Sequence, residues 1–567
     1  MVEDIGESCA AKSKGLVDLS KCSVSHSERD MDVVTRKFNL RLPVPITHLD
    51  KIPGMRYTGS FDAISLQDWC KFLINYNVWH VMCGLRKADR NRECMILSEF
   101  WKRYKVANPN SGLWAEFQQY NVDVSRCCPL VLHGDEGRGR KKAPFLITAY
   151  HSVIGFGTAA ANASRTHRAY LRMRLNYSEN SNIHRMLTCV LPKMNKDDLA
   201  LKAILNFITN DSLHVLRHGV ESEHGDRYFM AVLNVTGDWA WLAKCGNLAR
   251  SYSNVEKRPR GVSSVPRGVC HWCKAGQLNV PFEDFRRRPL WKNTCFEAGD
   301  NPFTSVPTLL QLPHDPNRPA SFFIYDFWHS FHLGLGKTWL ASVLALISDR
   351  MGSSNIEGRF AELTDLYLQW CDEQHETPYL TAISKETIGW IDRQKYPNGF
   401  WSKGHITVAL LRFVGHWLRT HSNEIADCPM LSQCGLATEQ INEAISSMYR
   451  QDVWMKRDVA NDIGNKGLSF VETYGRLARY AFDNSKALWA LMPKGHVVHH
   501  LFSDLFEAAD EWVINPLVFA VQISEDFVGK KSRLARRVHV TQVIRRVLER
   551  SLVSSHQHWT DAGFFQG

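Results

Sequence analysis

No stretch of this sequence approaches the roughly 20 consecutive apolar residues that a helix needs to cross a bilayer; the longest uncharged apolar run is Trp339–Ile347. A membrane span is therefore not expected. The chain begins Met1-Val2-Glu3-Asp4 with no apolar segment behind it, which argues against a secretory signal. A disulfide framework is also missing: the 15 cysteines are odd in number and scattered without regular spacing, as suits a reducing compartment. A nuclear or cytosolic protein is expected. There is no repeat at a fixed period. A large surplus of one charge is lacking too, since 69 Lys+Arg against 58 Asp+Glu leave only +11 on 567 residues. What is present is ordinary for a folded chain of a few domains: apolar residues at 44% and charged residues at 22% allow a substantial core and exclude global disorder.

The distribution of charge says more than its sum. Lys530 to Arg550 holds eight Lys/Arg (Lys530, Lys531, Arg533, Arg536, Arg537, Arg545, Arg546, Arg550) and one acid, Glu549. Smaller clusters lie at Arg138-Gly-Arg-Lys-Lys142, from Arg165 to Arg174, and at Arg286-Arg-Arg288 with Lys292. Such clusters hold phosphates through counterion release, or else are solvated helix faces.

Residues 1–55 are rich in Ser, Lys and Asp without periodicity and read as a flexible leader. Residues 56–126 read as helical, with Trp69, Phe72, Leu73, Tyr76, Trp79 and Met82 at helical spacing. From 127 to 255 the pattern changes. Strands are expected at Cys128–His133, ended by Gly134-Asp135-Glu136-Gly137, at Pro144–Tyr150, at the alternating Tyr170–Tyr177, and at Tyr228–Val235, ended by Thr236-Gly237-Asp238. Helices are expected at Asp197–His218 and Trp239–Ala249. Residues 256–490 begin irregular and Pro/Gly-rich, then become almost wholly helical. Residues 491–567 end in the basic segment.

Several groups carry possible chemistry. Asp135 and Asp238 each follow an expected strand beside a glycine, so two carboxylates can meet at neighbouring strand ends; with a third acid they could hold two Mg²⁺ ions about 3.5–4 Å apart. The plain alternative is an ordinary Gly-Asp turn. Cys270-His-Trp-Cys273 has the spacing of half a tetrahedral zinc site, and no second Cys-x2-Cys exists to complete it. The best further ligands are His496 and His500, four apart and so on one helix face; no Glu accompanies them as in a His-Glu-x-x-His protease. Asp326 and His329, three apart, can form a hydrogen-bonded pair that orients the imidazole. Gly334-Leu-Gly336-Lys337-Thr338 falls short of a phosphate-binding loop, because Phe331 stands where that motif needs its first glycine.

Taken in order, Gly-Asp135, Asp238, the Cys270/Cys273 pair, Asp326-x-x-His329, Pro493-Lys-x-His496-x-x-x-His500 and Ser524-Glu525-Asp526 resemble the eukaryotic DDE transposases of the CACTA and Plavaka (KDZ-like) type. The layout is similar also to the catalytic core of the antigen-receptor recombinase. The resemblance covers about residues 127–530. It implies an α/β RNase H-like core interrupted by a large all-α insertion, with a helical N-terminal region before it. It further implies a catalytic triad of Asp135, Asp238 and Glu525 holding Mg²⁺ or Mn²⁺, with Glu507, Glu511 and Asp526 as rivals for the third acid. It implies one structural zinc site made of Cys270, Cys273, His496 and His500, in which His499 could replace either histidine. Asp326 and His329 would orient the site without binding metal.

The function implied is two-metal DNA strand cleavage and strand transfer in the nucleus by a homo-oligomer, with Lys530, Lys531, Arg533, Arg536 and Arg537 on the DNA backbone. The alternatives are a catalytically silent, domesticated relative that binds DNA, an RNase H-like nuclease without strand transfer, and a helical interaction protein with incidental motifs. No DNA-reading module is recognisable in residues 1–126.

Overall fold

The computed structural model describes residues 11–55, 59–164, 170–193, 198–255 and 266–565. The strand-like residues after position 127 build one mixed sheet of five strands: β1 (Cys127–Arg138), β2 (Pro144–Ser152), β3 (Arg185–Pro192), β4 (Val220–Glu221) and β5 (Arg227–Gly237). Their spatial order is β3-β2-β1-β5-β4, with β1 and β5 parallel and the other pairs antiparallel. Val235 of β5 makes one further parallel bridge to Phe323. Helix α1 (Asp198–His218) packs on β5, and α2 (Trp239–Cys245) follows β5 directly.

Two expectations about this sheet need correcting. Gly134 and Gly137 do not end β1; the strand runs on to Arg138, so Asp135 lies within it, paired with Ile147. Both glycines make room for neighbours, since a Cβ on Gly134 would stand 2.3 Å from the Trp241 indole and one on Gly137 2.7 Å from Ser532 Oγ. The segment Tyr170–Tyr177 is not a sheet strand. It runs extended and makes only isolated bridges, at Leu175 and Asn176. The third strand is β3, buried along its whole length and therefore without the alternation that marks a half-buried strand.

Beyond position 327 a π-helical turn, Trp328–Leu335, leads into helices α3 (Gly336–Ser348), α4 (Ile356–Glu373), α5 (Gly404–Thr420), α6 (Pro429–Arg450), α7 (Arg457–Asp483) and α8 (Pro493–Phe506). This stretch is not purely helical, because Trp454–Lys456 pairs with Trp512–Ile514 in a two-stranded ribbon. By length and composition Trp328–Ser348 could cross a membrane, yet 89% of its apolar window is buried in the fold, as in a core helix. The chain then returns to the sheet: α9 (Gln522–Ala535) packs on β1 and α10 (Val543–Asp561) on β3.

Residues 11–55 are not the structureless leader that their composition suggests. They hold helices Lys14–Ser20 and Ser27–Lys37, and Leu42 and Val44 are buried. Leu42 N donates to Leu552 O at 3.2 Å, which fastens this segment to α10. The helices Leu66–Asn75, Arg90–Ala107 and Leu113–Gln119 follow.

Candidate functional site: an acid centre and a Cys2His2 centre

The parallel register of β1 and β5 sets Gly134 opposite Gly237, so the next residue of each strand, Asp135 and Asp238, is brought to the same end of the sheet. The two backbones approach closely there: a Cβ on Gly237 would lie 2.4 Å from the Gly134 carbonyl oxygen. Asp238 follows the strand and caps α2, its Oδ1 accepting from Trp241 N at 2.6 Å.

Glu525 arrives in the first turn of α9, which three hydrogen bonds from distant segments hold against the sheet. Thr236 Oγ1 donates to Phe519 O at 2.8 Å, Val521 N to Asp326 Oδ1 at 3.0 Å, and Arg138 N to Ser532 Oγ at 3.0 Å. Burial, followed by the charges of Glu525 and Asp238, pushes the Asp135 carboxyl well above its ordinary range. Burial raises Glu525 as well. Asp135 and Glu525 thus share one low-dielectric place, where burial disfavours both ionised forms and the charges of Glu525 and Asp238 add to the effect at Asp135.

Asp326 and His329 adjoin this centre. Asp326 is fully buried, and its two oxygens accept from Trp328 N (2.8 Å), His329 N (2.7 Å), His329 Nδ1 (2.8 Å) and Val521 N. Burial opposes ionisation, but those bonds and the His329 charge outweigh it and hold the carboxyl below its usual range. On its other side His329 Nε2 lies 3.3 Å from Glu525 Oε1. Burial would lower its pKa, yet Asp326 and Glu525 bring it up to about 9. The pair therefore reaches the third acid directly, a link that the Asp-x-x-His spacing alone does not carry.

The second centre is closed. Sγ of Cys270 and Cys273 and a ring nitrogen of each of His496 and His500 all lie within 4.8 Å of one another, and all four residues are buried. Nε2 of His500 stands 3.6 Å from Cys270 Sγ and 3.4 Å from Cys273 Sγ, and Nε2 of His496 3.3 Å from Cys273 Sγ. Main-chain N–H groups of Trp272 and Ala275 donate to the two sulfurs, at 3.3 and 3.4 Å. Tyr325 O–H donates to Cys270 Sγ at 3.5 Å, and the Trp291 ring packs on both imidazoles. Two thiols, two imidazoles and N–H···S support fit a four-coordinate zinc ion with no open position. His499 points elsewhere, with both ring nitrogens unpartnered. Sequence reasoning missed Cys295, whose thiol is brought down to about 6 chiefly by its hydrogen bond with Cys273; its distance from the Cys-x2-Cys pair gave no signal.

The basic segment divides. Arg533, Arg536 and Arg537 are exposed. Lys530 donates to Asn180 Oδ1 and Ser181 Oγ and pairs with Asp526 at 2.7 Å. Lys531 is wrongly expected on a DNA-facing surface: it is fully buried, donates to Asn182 Oδ1 at 2.7 Å and sits over the Phe527 ring. Burial lowers its pKa to about 7. Arg545 and Arg546 are occupied with Glu549. The tip between β1 and β2 exposes Arg138, Arg140, Lys141 and Lys142 beside α9. Residues 165–169 of the cluster from Arg165 to Arg174 lie outside the described residues.

Helix α8 carries one more group, which the Pro493-Lys-x-His496 motif includes without a role. Lys494 lies two positions before His496, and its Nζ donates to Leu333 O at 3.0 Å within reach of the charges on Asp326 and Asp238.

No protein-family profile matches this chain, and no curated protein sequence matches it.

Proposed function

We propose that the chain is a DNA strand transferase of the DDE type, with an RNase H-like core interrupted after its second acid by the helical stretch that ends before α9. The observation that carries the reading is the parallel register that brings Asp135 and Asp238 to one end of the sheet, with Glu525, 390 positions after Asp135, on the helix that packs against the same strand. The order of three antiparallel strands followed by a parallel one agrees with such a core.

In this reading the three carboxylates hold Mg²⁺ or Mn²⁺, which supplies Lewis-acid activation of water or a DNA 3′-hydroxyl and charge neutralisation at the leaving oxygen. The chain's own residues do the rest. Asp135 is fixed by the sheet and Asp238 by its cap on α2. Asp326 fixes the ring of His329, and the imidazolium holds Glu525 in place and compensates its charge. The exposed Arg138, Arg140, Lys141 and Lys142 of the hairpin, with Arg533, Arg536 and Arg537, form a basic rim that tracks phosphates without reading bases. The Cys2His2 centre takes zinc in a structural role, joining the loop after β5 to α8.

The test is nicking of supercoiled and linear DNA with Mg²⁺ or Mn²⁺, followed by a joining assay with pre-cleaved ends. Nicking and joining that both vanish in Asp135→Ala, with DNA binding kept, support the reading. Nicking without joining marks a nuclease. DNA binding with no nicking under any metal marks a silent relative.

A further inference from the structure

Helices α5 and α6 border a cleft of about 1390 Å³ that extends to the first turn of α9. The two helices run antiparallel: Asn442 Nδ2 donates to Leu411 O at 3.0 Å, while a Cβ on Gly435 would stand 3.8 Å from Leu418 Cβ. Along the cleft α6 presents Ser432, Gly435, Glu439, Asn442, Ser446 and Tyr449, at intervals of three and four. Leu411, Gly415 and Leu418 do the same on α5. That spacing is the seam which one helix offers to another. On α6 it extends over about 26 Å, the length of a helix of roughly 18 residues. Glycine and serine at four of these positions let a neighbour approach closely, and the floor is apolar, with Leu411, Leu418 and Ile445 buried and Leu436 62% exposed at the edge.

The size and charge of the cleft select the kind of occupant. Small-molecule pockets run to about 300–1,000 Å³, less than this cleft provides. A phosphate chain needs a surplus of cations, whereas here Arg412, Arg419 and Arg450 are balanced by Glu376, Glu439 and Glu443. The signs are instead sorted by wall. Arg412, His416 and Arg419 follow one another along the α5 edge, and Glu439 and Glu443 along the α6 edge, with Arg450 at the inner end. Arg412 pairs with Glu376, and Glu443 with Lys466 at 2.9 Å. Arg419 and Glu439 are exposed and form no ion pair among the described residues. At the inner end Tyr449 O–H donates to Gln522 Oε1 at 2.6 Å, and Gln522 stands one helical turn before Glu525 on α9.

We propose that the cleft is a docking groove for an amphipathic helix of a partner protein. The helix has about 18 residues, an apolar face toward the floor, acidic side chains along the α5 edge and basic ones along the α6 edge. It lies against α5 and α6 as a third helix, and its inner end touches the turn of α9 that precedes Glu525. The groove does not depend on the strand-transferase reading.

Three synthetic 18-residue peptides test this on the full chain. All carry leucine at helical intervals of three and four; one has glutamate on one flank and lysine on the other, one has glutamate on both, and one has lysine on both. By fluorescence anisotropy the mixed peptide should bind roughly fivefold more tightly than either of the others. It should slow hydrogen exchange in α5, α6 and the first turn of α9. No binding, no preference among the three, or protection elsewhere overturns the proposal.

Gly435→Trp fills the groove from a position where a Cβ meets nothing closer than Leu418. It should abolish binding of the mixed peptide without lowering the melting temperature; full binding by the folded variant counts against the groove. If that variant does not fold, two exposed positions replace it. Glu439→Lys should move the preference to the glutamate-flanked peptide, and Arg419→Glu to the lysine-flanked one; preferences that stay put in both overturn the assignment of the walls. A single-stranded oligonucleotide that displaces the mixed peptide would give the cleft to nucleic acid, and self-association of the chain that Gly435→Trp abolishes would give it to a second copy. Either result overturns the partner helix.

Discussion

The two centres are assembled from comparably distant parts of the chain and are built for opposite ends. The Cys2His2 centre draws Cys270 and Cys273 to a helix more than 200 positions later, buries all four ligands and supports the sulfurs with main-chain N–H groups. The acid centre gathers three groups of one charge, gives them a single imidazolium in contact, and leaves the Glu525 side chain 34% exposed. A closed donor set with satisfied neighbours stabilises. An open set of like charges costs stability until a cation or a substrate arrives, and that cost marks a place for chemistry.

Breaking the closed centre should have the largest effect. Cys273→Ser, or chelation of the bound metal, is expected to cost on the order of 5 kcal/mol or more, as structural zinc is worth about 10–16 kcal/mol in isolated fingers. It should melt the helices that follow position 327 before the sheet, as read by hydrogen exchange. A variant that keeps its wild-type melting temperature would show the centre to be bystander chemistry.

Asp135→Asn should do the reverse, abolishing nicking while making the metal-free protein more stable at neutral pH. The sign follows from the raised folded-state value. For a carboxyl shifted upward, ionisation on the way from the unfolded to the folded pKa takes stability away, and asparagine does not ionise. Mg²⁺ should then stabilise the wild type and not the variant, a difference that calorimetry reads directly.

His329 sharpens the comparison through pH. Its folded value of about 9 lies above the ordinary 6.5, so its contribution is fully present below about pH 6.5 and disappears as pH rises through 9. Wild type should lose up to about 3 kcal/mol over that window relative to His329→Gln. Parallel stability curves for the two proteins would remove the ion pair from the account.

The smallest effects separate the basic residues. Arg536→Ala should lower the salt slope of DNA binding by about 0.9. Lys531→Met should leave it unchanged, because that ammonium faces Asn182 inside the protein. A weakened Lys531→Met with Arg536→Ala unaffected would invert the assignment of the DNA-facing side of α9.

Much of this was legible in the chain, for reasons that differ by residue. Asp238 was readable because a strand, a glycine and a helix cap occur in sequence order. The Cys270 and Cys273 pair was readable because thiols at that spacing have few other uses, and its partners at 496 and 500 because two imidazoles four apart share a helix face. β3 escaped because a strand buried on both faces shows no alternation. The Tyr170–Tyr177 segment misled because it is extended and alternating without a ladder to join. The glycines of β1 were read as turn residues and serve as gaps for an indole and a serine hydroxyl. Lys531 was misplaced because composition counts charge and cannot tell an ammonium facing solvent from one buried against an amide. Lys494 lay within the quoted Pro493-Lys-x-His496 motif without a role, since only the fold shows its bond to the Leu333 carbonyl.

The hydrogen bond from Arg138 to Ser532 has a consequence for synthesis. It joins the strand that carries Asp135 to a helix made 394 residues later, so a ribosome-bound chain lacks Glu525 beside that strand until translation is nearly past that helix. A nascent chain in the act of being made therefore holds an incomplete acid centre, and truncated products that end short of α9 never complete it.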